Sequence, residues 1–281
     1  MTRPLECMHI VDVLSAAGIA LNAAGSSTFH APDIEEFFPK AFLFQGSWFE
    51  FNRIMLVRVI ATVVICAIFW LVATRLKVVP SRSQSVFEYV MRFVRVSIAE
   101  ETMGKKLADQ FLPLITTIFF MVFAMNITGI VPFLNIQGTS VIGAPLLLAI
   151  ITYLTYHVTG FKRHGFAGYV KSSMILPGAP PAMHILLVPI EFLTKYVIQP
   201  FTLTIRLLAN MLVGHLLLVL AFAASTFLLL HGPWTLKGFG VLTFAGGFFA
   251  YVLEILIAIL QAYIFALLAA LYIQQAAESD H

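Results

Sequence analysis

Two apolar runs fill most of the C-terminal third of this sequence, and both are too long for an ordinary membrane crossing. His184 to Leu230 is 47 residues with only scattered polar positions, and Phe239 to Ile273 is 35. A helix standing upright in a bilayer needs about 20. Each run is therefore either a tight hairpin or one long, strongly tilted helix. The stretch "HGPWTLKG" (231–238) is the break between them, with glycine and proline as punctuation.

The rest of the chain agrees with a membrane location. It is 60% hydrophobic and 11% charged, where a soluble domain carries about 25% charged residues. So little polar surface cannot cover a water-exposed globule. The expected class is an all-α integral membrane protein with about five membrane helices, the last two long and strongly tilted, plus one amphipathic surface helix. A net charge of +3 gives no reason to invoke nucleic acid. Cys7 and Cys66 lie far apart, and Cys66 sits in an apolar run, so neither a disulfide framework nor a metal site is implied.

Residues 1–52 read as a slightly acidic segment on the outer side. Within them, "IVDVLSAAGIALNAA" (10–24) resembles a poor signal peptide interrupted by Asp12, so a weakly ordered or interfacial segment is the preferred reading. "HAPDIEEFF" (30–38) has the composition of a capped helix start. Residues 53–281 form the membrane domain, with spans at about 54–74, 111–133, 144–161, 184–230 and 239–275. Between the first two, residues 82–103 place Val86, Tyr89, Val90, Phe93 and Val94 at helical spacing among charges, the pattern of a helix lying at a membrane surface.

Basic residues set the orientation. Residues 75–106 hold seven of them, and the expected loop at 162–171 holds Lys162, Arg163 and Lys171 beside His164; loops 134–143 and 231–238 hold only Lys237. The positive-inside rule puts the basic loops in the cytoplasm, the N-terminus outside and the C-terminus inside. Five crossings satisfy that parity if each long run is one helix.

Ionisable groups inside such spans are functional hypotheses by default. The first long run contains Glu191, Lys195, Arg206 and His215, and the second contains Glu254. At about 100° per residue, Glu191, Lys195, Gln199, Thr202 and Asn210 fall within about 60° of Arg206, which predicts one polar stripe. His215 falls on the opposite face. Glu254 and Gln261 share a face, with Gly247, Ala250 and Ala258 near it as small residues for close helix approach. Plainer readings exist: an ion pair between Glu191 and Lys195 near the headgroups, and Asn210, His215 and Gln261 as interhelical hydrogen-bonders. His157 and His184 lie near span ends and read as interfacial. Arg206 has no acid at i±3 or i±4, so it needs a carboxylate from Glu254 or from another chain. Zinc-helix, Walker and nucleophile-elbow motifs are absent, and no histidine pairing suggests haem, so no catalytic site, metal or cofactor is expected in this chain. These residues describe a polar, proton-handling pathway without naming the machine.

At "PFTLTIRLLANMLVGH" and "EILIAILQAYIFALLAALYIQQA" the sequence resembles subunit a of F-type ATP synthases, preceded in the expected order by "FLPLITTIFFMVFAMNITGIVP". The resemblance covers residues from about 30 to the end. It implies a proton-conducting stator of the membrane sector, in the plasma (inner) membrane of a bacterium. The implied partners are the ring of c subunits, the subunit b stalk and the remaining synthase subunits. It implies that Arg206 is the stator arginine facing the ring carboxylate and that His215 and Glu254 belong to the outer half-channel. These two look exchanged relative to family members with Glu first and His second. Asn210 and Gln261 match polar positions near the arginine, Glu191 an acid toward the cytoplasmic exit, and Asn126 the asparagine of the "MN" segment. The chain departs from the common R-L-F-G-N core in reading "RLLAN", and it has Gly129 where an acid is frequent. A stand-alone ion channel or secondary transporter is the alternative class; an intramembrane protease lacks a nucleophile–base pair here.

Overall fold

The computed structural model describes residues 52–75, 77, 81–131, 138–139, 141–174, 181–230 and 232–278. The outer-side segment, apart from Asn52, lies outside them, as do Cys7 and the signal-like stretch. Among the described residues the secondary structure is helical throughout. α1 is Arg53–Thr74 and α2 is Arg82–Phe93, followed by a π-helical segment, Val94–Glu100. α3 is Glu101–Ile127, α4 is Gly143–Met174 and α5 is Pro181–Leu193. A second π-helical segment, Thr194–Ile198, leads into α6, Gln199–Leu230; a 3-10 turn, Trp234–Leu236, precedes α7, Lys237–Ala277. Five helical stretches are long and apolar enough to cross a membrane.

The hairpin option for the long runs is excluded. Leu186–Leu230 and Trp234–Ala277 are continuous helical stretches of 45 and 44 residues. At about 1.5 Å per residue each is about 66 Å long, twice the ~30 Å hydrocarbon thickness. Helices this long and this apolar must lie far from the bilayer normal to stay out of water.

Glycine separates surface from span twice. Gly104 adopts φ 71° and ψ 156° inside α3, and Gly165 adopts φ 70° and ψ 164° inside α4. That region of backbone space is essentially open to glycine alone. The first break, at Gly104, separates the amphipathic stretch from the rest of α3. The second changes the expected third span: 162–171 is not a loop. Lys162, Arg163 and His164 complete a helical turn before Gly165, and a second helical arm runs on to Met174. The helix persists because Gly160, unlike Gly165, does not adopt a positive φ, and the lysine and arginine heads reach water from a helix end.

The described residues form two compact units, Gly214–Leu253 and the remainder. In the smaller unit α6 and α7 approach closely at Gly240, where an added Cβ would crowd Leu229 at 3.0 Å. There Ser225 Oγ donates to the Gly240 carbonyl at 3.2 Å. In the larger unit Ile115, Ile118 and Val122 of α3 join a core with Val94, Ile98, and Ala262, Ala266, Ala269, Ala270 and Ile273 of α7. The alanines recur every three or four residues, so one ridge of α7 is narrow enough for close helix packing. Val94 and Ile98 of the amphipathic stretch belong to this core, while Val86 and Tyr89 stay exposed, as expected of a face meeting headgroups.

No atom lies within 4 Å of a Cβ built on Gly165, whereas Gly168, three residues on, has ordinary backbone angles and only a normal contact to His164. Gly165→Ala should therefore lower stability by about 1–3 kcal/mol through backbone conformation alone. Gly168→Ala should leave it unchanged or raise it by up to about 1 kcal/mol. Denaturant unfolding of the detergent-solubilised protein measures both, and equal effects would contradict the assignment of the break.

Candidate functional site

α6 and α7 carry most of the predicted polar residues, and one hydrogen bond sets their register in the larger unit: Asn210 Nδ2 donates to Gln261 Oε1 at 2.7 Å. Gln261 is only 3% exposed, and Glu254, two helical turns along α7, is 5% exposed. These two, with Ala258 between them, share the buried face expected from their spacing. A small cleft with room for a water molecule is lined by Asn126, Asn210, Glu254 and Gln261, with Leu207, Met211, Ile257 and Ala258 as its apolar walls. Gln261 Nε2 is buried without a hydrogen-bond partner among the described residues, so the cleft holds a donor ready for water.

Asn126 reaches the cleft from the end of α3, and its placement is over-determined. Its Oδ1 accepts from Thr139 Oγ1 at 3.0 Å. The backbone N–H of Gly138 donates to the Met125 carbonyl at 3.1 Å. Arg58 of α1 holds the same connection from the other side, donating from Nε to the Gly138 carbonyl at 2.7 Å and from Nη2 to the Val141 carbonyl at 2.9 Å. The sequence reading missed Arg58, which hydropathy takes for an ordinary residue near the start of a span. The available signal was its charge within an otherwise apolar helix, which demands a partner.

Arg206 is half-buried on α6. Among the described residues its guanidinium makes no hydrogen bond or ion pair, although its charge acts on the Tyr272 hydroxyl. The expected alternative of an intrachain pair with Glu254 is not realised. Counting four residues from Arg206 to Asn210 and seven from Gln261 to Glu254 in the antiparallel register, the two side chains lie about 16 Å apart along the axis. His215, nine residues on from Arg206 in α6, belongs to the smaller unit and is half-buried.

On the other side of Arg206 a second cleft is lined by Tyr156, Tyr169, Lys195, Gln199, Tyr272, Gln275 and Ala276. Gln199 is about 10 Å from Arg206 along the axis. The helix wall here is π-helical, and the reason is local. Gln199 N–H bonds to the Thr194 carbonyl five residues back. In that register the next carbonyl, Lys195, would need an N–H from position 200, which is proline and has none. The Tyr156 hydroxyl donates to it instead, at 2.9 Å.

The extra residue of the π segment shifts helical phase, so the single polar stripe predicted from Glu191 to Asn210 is broken. Lys195 and Gln199 line the second cleft; Glu191 pairs with Lys195 at 3.3 Å, the plainer of its two readings. His157 is a correction as well. It is buried, not interfacial, among the rings of Tyr153, Tyr156, Phe161, Tyr169 and Tyr196. Its Nδ1 lies 3.1 Å from the Tyr169 hydroxyl, whose pKa burial pushes up, leaving the O–H intact to donate. The side chain of His184 lies outside the described residues. No cluster of three or more metal-ligating side chains occurs among the described residues.

Two measurements probe this geometry. A double-mutant cycle on Asn210→Ala and Gln261→Ala should give a coupling of about 0.6 kcal/mol, and at most about 1.7, in unfolding of the solubilised protein; zero coupling would mean the register rests elsewhere. Arg58→Leu should destabilise by about 3 kcal/mol, because two charge-assisted bonds are lost. It should also speed thiol labelling of a cysteine placed at Val141, and unchanged labelling would remove Arg58 as the clamp.

Comparison with known proteins bears on the whole arrangement. Residues 55–274 match the family described as ATP synthase A chain. The chain is 42% identical over 273 residues to ATP synthase subunit a of Rhodococcus erythropolis, covering 97% of this chain and 99% of that one. It is 35% identical to ATP synthase subunit a of Pseudarthrobacter chlorophenolicus over 93% of this chain and 98% of that one. It is 37% identical to ATP synthase subunit a of Streptomyces lividans over 86% and 87%. With a family match over most of its length and relatives covered nearly end to end, this multi-pass membrane chain belongs to the ATP synthase A chain family.

Proposed function

We propose that this chain is the proton-conducting stator of the synthase membrane sector, in which two aqueous half-channels load and unload a carboxylate on a rotating c ring. The observation that carries the reading is Arg206. A half-buried guanidinium without a hydrogen-bonding partner among the described residues is costly, and it lies between two clefts with polar groups in their linings that meet α6 on opposite sides of it. An anionic group on a neighbouring subunit would offset that cost.

The physics of the cycle follows. A ring carboxylate must be neutral to pass lipid, since an unpaired ion there is expensive. Against this chain it meets polar groups and water and loses its proton, and Arg206 stabilises the anion. The fixed positive charge also repels protons between the clefts, so they cross only by riding the ring. A potential of 100 mV contributes about 2.3 kcal/mol per charge, so several protons are needed for each ATP. Asn126, Asn210, Glu254 and Gln261 are assigned to the outer path together with His215, and Glu191 to the cytoplasmic exit. Lys195, Gln199 and Tyr272 join that exit on the evidence of the second cleft. The assigned orientation, N-terminus outside and C-terminus in the cytoplasm of a bacterium, follows the basic residues. Subunit b and the remaining synthase subunits complete the set of partners. A stand-alone channel would need one continuous path, and the position of Arg206 between the clefts argues against it.

Arg206→Ala should reduce ATP-driven proton pumping in inverted membrane vesicles to background while the proteolipid still co-purifies with the chain. Retained pumping at even a tenth of the native rate would overturn the assignment. Arg206→Lys keeps the charge but loses the planar fork, so intermediate or absent pumping separates geometry from charge.

A further inference from the structure

A groove between α3 and α4 plays no part in the pathway above. It is lined by Gln110 and Phe111 of α3 and by Leu154, Thr155, Val158, Thr159, Lys162 and Arg163 of α4, with an empty volume of about 690 Å³ including its open side. Two i, i+4 rows build its wall: Leu154, Val158 and Lys162, and Thr155, Thr159 and Arg163. Each row is uncharged at depth and basic at the end. The threonines do not make the depth polar. Thr155 Oγ1 donates to the Ile151 carbonyl at 2.7 Å and Thr159 Oγ1 to the Thr155 carbonyl at 2.7 Å, so their hydroxyls are satisfied within the helix. Leu154 and Val158 are exposed along the row.

The basic end lies where a headgroup lies. From Gly143 to Arg163 is 21 residues, about 31 Å, which is one hydrocarbon thickness, and Gly165 then breaks the helix. Among the described residues neither Lys162 nor Arg163 makes a hydrogen bond or an ion pair. The nearest acid in sequence to the groove wall, Asp109, is taken by Arg95 at 2.8 Å. Two uncommitted cations and an amide therefore stand above an apolar trough about 12 Å deep, from Lys162 back to Leu154.

We propose that this groove binds one anionic phospholipid, its phosphate held by Lys162, Arg163 and Gln110 and an acyl chain lying along Phe111, Leu154 and Val158. Charge complementarity selects the occupant: basic pockets between membrane helices at the interface suit anionic headgroups, and a zwitterionic lipid leaves the second cation unneutralised. Positive-inside topology alone would explain the two bases but requires no groove beneath them.

The test is native mass spectrometry of the detergent-purified complex containing this chain, titrated with dioleoyl phosphatidylglycerol or dioleoyl phosphatidylcholine. The anionic lipid should be retained on the order of thirtyfold more strongly, falling to about fivefold with one base removed. K162Q/R163Q should abolish the preference. Val158→Trp fills the trough and should lower retention of phosphatidylglycerol with both charges intact. Should the double variant not assemble, Arg163→Gln and Leu154→Trp are read on the same scale. Unchanged retention in the charge variants overturns the proposal, as does unchanged retention in the trough variants. Competition by glycerol phosphate at the lipid's own concentration would make this a free-anion site and also overturn it. So would loss of another subunit from K162Q/R163Q with lipid retention intact, the result for a protein-docking surface.

Discussion

The hydrogen bond between Asn210 and Gln261, 2.7 Å long, is the contact on which the rest of the site depends. Two long apolar helices in lipid have little to tell one register from another, because leucine against leucine differs little from leucine against an acyl chain. An amide pair changes this. Sliding by one turn would leave the buried Gln261 amide oxygen without its partner, at a cost above the energy of the bond itself. With the register held, Glu254 comes to lie with Asn126 in one cleft, and Arg206 is kept about 16 Å away from it along the axis. The separation of the two charges thus follows from an uncharged pair between them.

The same rule of satisfaction explains irregularities elsewhere. Arg58 is tolerated inside α1 because two backbone carbonyls of the connection after α3 receive it. That connection in turn holds Thr139 on Asn126. Pro200 removes one N–H, the helix before it relaxes to π geometry, and Tyr156 supplies the missing donor. Threonines along the spans, among them Thr62, Thr117, Thr152 and Thr204, donate to carbonyls of their own helix four residues back. Polar side chains are therefore no guide to a polar path until their partners are counted.

That bookkeeping marks how far the sequence could be read. Helix length was legible in α6 and α7, because apolar runs of 47 and 35 residues leave few solutions. The buried face carrying Glu254, Ala258 and Gln261 was legible too, because α7 keeps an unbroken helical phase through it. Phase counting failed upstream of Pro200, where a π segment inserts a residue that periodicity does not register, and the expected stripe from Glu191 to Asn210 broke there. The basic stretch after the third span reads as a loop from its charge, but it is Gly165 and not the charge that interrupts the helix. Arg58 and the ring of aromatics around His157 were invisible for another reason. The carbonyls that receive Arg58 are 80 and 83 residues away, and the rings around His157 meet only when Tyr169 folds back past Gly165 and Tyr196 comes in from 39 residues on, so no local pattern encodes either.

What remains is the contrast between Arg206 and three other charged or amide groups inside these helices. Arg58 has carbonyls, Lys195 has Glu191, and Asn210 has Gln261. Among the described residues those three groups are provided for within the chain, and Arg206 is not. On the function proposed above, its partner is supplied from outside the chain, and only intermittently. A permanent internal carboxylate would satisfy Arg206 better and leave nothing for a passing one to bind. On this view the function proposed for the site depends on an interaction the isolated subunit is built to lack, and the neighbouring bonds keep Arg206 away from Glu254, the buried acid of its own chain that could otherwise neutralise it.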